Sequence, residues 1–141
     1  MSLDDTQVFL PEVWASHARF RADKPAIVCG GVRLTWEELN ERCNTIANAL
    51  LARELGKPAR VAVLMGNSAG MVAVFLGVMK SGACIVPIST ALTSTQIATL
   101  LNDSEAACLI ADSANVPLAE SALGHLGSPF QGPQVVVDTA L

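Results

Sequence analysis

Charge is scarce in this chain. Asp, Glu, Lys and Arg supply 16% of its 141 residues, against about a quarter in ordinary soluble domains, and none occurs between Arg60 and Lys80 or between Lys80 and Asp103. The few lysines and arginines stand singly and the net charge is −4. The basic footprint that nucleic acid or anionic lipid requires is therefore missing, and no nucleic-acid partner is expected. No C-x-x-C pair occurs among Cys29, Cys43, Cys84 and Cys108, so neither a zinc site nor a dithiol redox centre is indicated. Three of these cysteines lie in apolar strand-like runs, and all four are expected to be small buried hydrophobes kept reduced in a cytosol. Met1-Ser2-Leu3-Asp4-Asp5 carries acid where a signal peptide needs positive charge, which predicts a cytoplasmic location. Repeats and low-complexity tracts are also absent.

Apolar residues dominate what is there: 51% of the chain is hydrophobic and the mean hydropathy is +0.43. The length suits one α/β domain over 1–141, with 1–8 disordered or extended, burying about 68–70% of its unfolded surface. The surplus apolar surface is expected to meet another surface, by self-association or against more polypeptide. The two uncharged windows are long enough to span a bilayer. Gly66-Asn67-Ser68 interrupts the first, and Pro87, Ser89-Thr90 and Thr93–Gln96 interrupt the second. Strands and helices buried inside a soluble sheet leave the same uncharged text, so no transmembrane segment is expected.

A first helix opens near Leu10-Pro11 and runs through Trp14 and Phe20, with proline at the first helical position. Ala26–Cys29 and Val32–Leu34 flank Gly30-Gly31, which predicts a short antiparallel hairpin on a type I′ turn. Thr35 and Glu38 form a capping box for a helix whose Leu39, Cys43, Ile46, Ala47 and Leu50 share one face. From Val61 the pattern becomes a strand–helix alternation. The apolar runs Val61–Met65, Cys84–Ile88, Cys108–Ala111 and Val135–Val137 are separated by helices over Ser68–Lys80, Gln96–Leu101 and Pro117–Leu126. Their cap candidates are Asn67 or Ser68, Thr93 with Gln96, and Asn115. Such alternation predicts a mainly parallel sheet with flanking helices. Ala69–Met79 is apolar almost all round and needs cover on every side, which four strands supply poorly. The last strand delivers Asp138-Thr139-Ala140-Leu141 without a cap or closing helix, and the chain reads as cut where a ligand-binding loop would begin.

None of the ionisable groups makes a convincing site. Met65-Gly66-Asn67-Ser68-Ala69-Gly70 is placed to hold a phosphate on a helix N-terminus, yet it fits neither G-x-G-x-x-G nor G-x-x-x-x-G-K-[ST] and reads as turn and N-cap. Lys80 precedes Gly82 at a helix end and answers the helix dipole. His17 and His125 lack a local acid or second ligand. Glu37 and Glu38 suit the first turn of a helix, and Trp14 and Trp36 read as packing residues. No catalytic, cofactor-binding or metal residue is assigned.

Several segments in order carry a family resemblance: Asp23-Lys24-Pro25-Ala26-Ile27-Val28, Leu34-Thr35-Trp36-Glu37-Glu38-Leu39-Asn40, Val61–Met65 before Asn67-Ser68, Lys80-Ser81-Gly82-Ala83-Cys84-Ile85-Val86-Pro87-Ile88, and Leu101–Ala106. Together they resemble the N-terminal part of adenylate-forming enzymes, particularly acyl- and aryl-CoA synthetases, over about Phe9 to Asp138. Trp36 stands where that family usually has Tyr. Ser89-Thr90-Ala91-Leu92-Thr93 lacks the Asp and the Tyr-Pro pair of relatives that activate amino acids, which leans toward a CoA ligase over an amino-acid adenylation domain. The resemblance implies a parent enzyme that uses ATP and Mg²⁺ to join a carboxylic acid to AMP, after which CoA displaces AMP to give a thioester. It also implies that the phosphate loop and a C-terminal catalytic lysine lie in the remainder of the parent enzyme. This fragment is then expected to be inactive and to bind none of these cofactors tightly. The competing reading is a free-standing, non-catalytic α/β interaction module.

Overall fold

The computed structural model describes residues 9–56 and 58–137; the expectation for 1–8 lies outside them. Helix α1 (Leu10–Phe20) carries proline in its first turn, where a missing N–H costs no helical bond. Strands β1 (Pro25–Cys29) and β2 (Val32–Thr35) form the antiparallel hairpin. Only Gly30 of its two turn residues takes a positive φ, +56°. This corrects the type I′ expectation, because that turn needs positive φ at both central residues. Thr35 then caps α2 (Trp36–Leu51). Its N–H donates to Glu38 Oε2 at 2.8 Å while the Glu38 N–H donates to Thr35 Oγ1 at 3.3 Å, satisfying two donors that the helix start leaves free.

The remaining elements are β3 (Arg60–Leu64), α3 (Ala69–Lys80), β4 (Cys84–Ile88), α4 (Ser94–Asp103), β5 (Cys108–Asp112), α5 (Val116–Gly124) and β6 (Gln134–Val137). A 3₁₀ turn at Ser113–Asn115 separates β5 from α5. The strands form a parallel sheet in the order β4-β3-β5-β6. Helix α3 stops because Gly82 adopts φ +82°, which a side chain opposes. The N–H groups of Gly82 and Ala83 then close back on the Met79 and Val78 carbonyls, a Schellman ending.

Alternation along β3 and β5 sends side chains to two layers. Ala62, Leu64, Leu109 and Ala111 pack under α4 and α5, against Ile97, Leu101, Ala119 and Ala122. Val61, Val63, Cys108 and Ile110 pack under α3 and the end of α2, against Val74, Val78 and Leu50. Burying each such valine, leucine or isoleucine fully contributes about 1.5–3 kcal/mol, so the two central strands anchor the fold. No residue of α3 is exposed. Its cover comes mainly from α2, which closes over its outer side, with α1 and the hairpin adding to it. The four strands therefore never had to supply it all. Helices α2 and α3 approach closely at Gly77, where an added Cβ would sit 2.7 Å from Ile46 Cβ and 3.1 Å from the Cys43 carbonyl oxygen.

Candidate functional site at the carboxyl ends of the strands

In an open parallel sheet, ligands bind beyond the carboxyl ends of the strands, where successive connections leave toward opposite faces. That place lies between β3 and β5 here. The chain leaves β3 for α3 on one face and leaves β5 for α5 on the other. Two connections meet at this point: Met65–Ser68 after β3, and the turn that follows Asp112.

Asp112 occupies the meeting point and is the buried charged residue of the described chain, 4% exposed. Its Oδ2 accepts the Gly66 N–H at 2.8 Å. Its Oδ1 accepts the Asn115 backbone N–H at 3.0 Å and the Asn115 side-chain Nδ2 at 2.6 Å. A buried carboxylate needs such donors to offset its lost hydration. Sequence reasoning stopped the strand at Ala111 and assigned the cap to Asn115, but Asn115 makes no side-chain capping bond to α5. Asp112 instead caps the 3₁₀ turn, and an Asp three residues before Asn115 at the end of an apolar run was the signal available.

Of the residues singled out from sequence, Gly66 and Asn115 meet at this point; the others lie elsewhere. Ser68 caps α3 through a 3.0 Å bond from Met71 N–H, so the glycine-bearing loop is a turn and cap as expected. Lys80 Nζ donates to Asn40 Oδ1 at 2.8 Å, tying α3 to α2 besides lying at the helix C-terminus. His17 packs against Trp36 with ring centroids 4.6 Å apart and the ring planes tilted by 38°, and His125 is exposed at the end of α5. Glu37 is exposed. The Thr35 backbone N–H holds the Glu38 carboxyl below its usual range, helped by the Thr35 hydroxyl. Trp14 is buried, with its Nε1 unpartnered among the described residues.

The cysteines divide. Cys43 and Cys108 are buried as expected, and burial pushes each thiol up to about 11, which keeps them protonated and unreactive. Cys29 and Cys84 are exposed, correcting the expectation for them: Cys29 ends a hairpin strand and Cys84 begins the edge strand β4. Two apolar clefts of about 270 and 360 Å³ share Gly82 and Ala83 at the opposite, amino end of the sheet.

This parallel sheet, with its hairpin and two helical layers, is the α/β architecture found in N-terminal domains of adenylate-forming enzymes. The N-terminal domain of FACL13 from Mycobacterium tuberculosis superimposes with a TM-score of 0.81 at 28% identity, covering 92% of this chain and 33% of that one. The family model described as AMP-binding enzyme matches residues 14–140: the chain belongs to the AMP-binding enzyme family. Among curated relatives it is similar to the 3-hydroxybenzoate–CoA ligase of Aromatoleum sp. (strain CIB), 37% identical over 82% of this chain and 22% of the ligase. It is equally similar to the PKS-NRPS hybrid synthetase acdB of Aspergillus candidus, 37% identical over 88% of this chain and 5% of the synthetase. The chain thus spans a small part of the relatives it matches.

ATP requires donors free to meet its phosphates, and Mg²⁺ requires free carboxylate oxygens. Among the described residues no three His, Cys, Asp or Glu side chains converge on a metal position, and the Gly66 N–H is engaged by Asp112. Among the described residues no helix is long and apolar enough to cross a membrane.

Proposed function

We propose that this chain is the N-terminal scaffold segment, one domain over 1–141, of an ATP-dependent acyl- or aryl-CoA synthetase in the cytoplasm. The parent converts a carboxylic acid and ATP to an acyl-adenylate and pyrophosphate, and CoA then displaces AMP to form the thioester. The observation that carries the reading is the match of 14–140 to the AMP-binding family. Nucleotide, metal and CoA contacts fall to the remainder of the parent enzyme, which would also cover the exposed Phe9, Leu10, Leu51 and Val136. The chain's own contribution is to hold the carboxyl ends of its strands as a fixed edge for that remainder.

Amino-acid adenylation is the second reading, favoured by the similarity to acdB. The Ser89–Thr93 segment, which lacks an Asp and a Tyr-Pro pair, supports the CoA ligase. ATP–pyrophosphate exchange by the longest natural product of the gene, against panels of carboxylic and amino acids with CoA thioester formation read in parallel, separates the two. Exchange with aryl or fatty acids and thioester product is expected. Exchange confined to amino acids, with no thioester to CoA, would overturn the reading. The 1–141 chain alone is expected to turn over no ATP with any carboxylate.

A further inference from the structure

The meeting point between β3 and β5 holds one more inference. Three donors converge there from two connections that run to opposite faces: the Gly66 backbone N–H, the Asn115 backbone N–H and the Asn115 side-chain amide. Their geometry suits both oxygens of one carboxylate, and the group that fills it comes from the protein itself. Gly66 lies in the loop that leads into α3, where a glycine-loop N–H and a helix N-terminus would ordinarily meet a phosphate. An incoming phosphate would find that N–H already donating at 2.8 Å and would face a buried carboxylate of its own sign.

We propose that this crevice is an anion cradle of the carboxylate class whose resident occupant is Asp112. The side chain locks the β3–α3 and β5–α5 connections together and withholds the crevice from nucleotide phosphate. The inference rests on the adenylate-forming reading only in what it denies to the nucleotide. The lock itself belongs to this chain.

Opening the cradle tests it. Asp112→Gly removes the carboxylate and leaves the three donors facing a gap that formate can enter. The substitution is expected to lower the folding equilibrium constant on the order of tenfold, since part-buried donors to a charged group lose their acceptor. Sodium formate is expected to restore much of that loss saturably and to shift the Gly66 amide resonance, whereas sodium chloride at equal ionic strength does neither. Asp112→Asn keeps the gap filled while turning one acceptor into a donor, so it is expected to be destabilised and not rescued by formate. Equal rescue of both variants, or a folded Asp112→Gly chain whose Gly66 amide ignores formate, overturns the cradle. The unsubstituted chain supplies an arm that needs no variant to fold: pyrophosphate and AMP are expected to leave its Gly66 amide unmoved, and a saturable shift there overturns the proposal. Failure of the longer protein to adenylate any acid would refute the proposed function and leave these results standing.

Discussion

Gly77→Ala should destabilise the chain although alanine is the better helix former. Alanine in a helix interior is worth about 0.8–1 kcal/mol over glycine. Against that, its Cβ would sit 2.7 Å from Ile46 Cβ, 2.8 Å from Ile46 Cγ2 and 3.1 Å from the Cys43 carbonyl oxygen, where carbon atoms prefer about 3.5–4.0 Å. Rotating Ile46 relieves only the Cγ2 contact, since its Cβ and the Cys43 carbonyl move with the backbone of α2. Helix α3 has no room to retreat, because Val74 and Val78 on its other side are fully buried against the sheet. Overpacking of this kind costs about 1–3 kcal/mol, and the rigid contact partners place this case toward the upper end. The net expectation is a loss of about 1–2 kcal/mol after the propensity gain is offset. Urea unfolding followed by circular dichroism reads it directly. A Gly77→Ala chain at least as stable as the parent would refute the argument that α2 and α3 are locked at this point.

Gly132→Ala is expected to cost about 2 kcal/mol or more, because the new Cβ would overlap the Ala107 carbonyl and lie 2.9 Å from Phe130 Cζ. Ala107 is itself tied to Arg60 by a 2.8 Å bond; an unchanged urea midpoint would sink this expectation. Thiol titration with an aromatic disulfide should show Cys29 and Cys84 reacting at once and Cys43 and Cys108 only on unfolding, and four equally fast thiols would contradict it. Because the two buried thiols are raised above their ordinary 9.0 to about 11, their contribution is fully present below pH 9 and is lost as pH rises toward 11. Replacing both with alanine should flatten that alkaline decline in the unfolding free energy. Glu38 is shifted the other way, held below its ordinary 4.5, so its contribution is present above that pH and lost as pH falls through the lowered value. Glu38→Gln should therefore remove part of the acid-side decline, and an unchanged acid limb would show that the Thr35 contact leaves stability untouched.

What could be read without coordinates was what lies within a few residues along the chain. The Thr35–Glu38 and Thr93–Gln96 boxes close over three residues, and both form as expected. The glycine ending of α3 and the apolar runs of β3, β4 and β5 were legible for the same reason, since caps and strand periodicity depend on local spacing. The strand–helix alternation made the α/β class and the parallel sheet readable as well. The hairpin turn was harder: Gly30-Gly31 permits more than one pair of φ values, and strand pairing selects among them.

The exposure of Cys29 and Cys84 depended on which strands became edges, and an apolar run reads alike at an edge or a centre. Cover for α3 depended on α2, whose apolar face announces burial without naming its partner. Asp112 marks the boundary most sharply. Its bond to Asn115 spans three residues and left a trace in the sequence, whereas its bond to Gly66 spans 46. The sequence by itself determined the main elements, the capping boxes of α2 and α4 and the family to which they belong, because these follow from local backbone chemistry and ordered short motifs. Only the tertiary structure decided that a buried carboxylate sits where two chain connections part, because that contact exists only once β3 and β5 lie side by side.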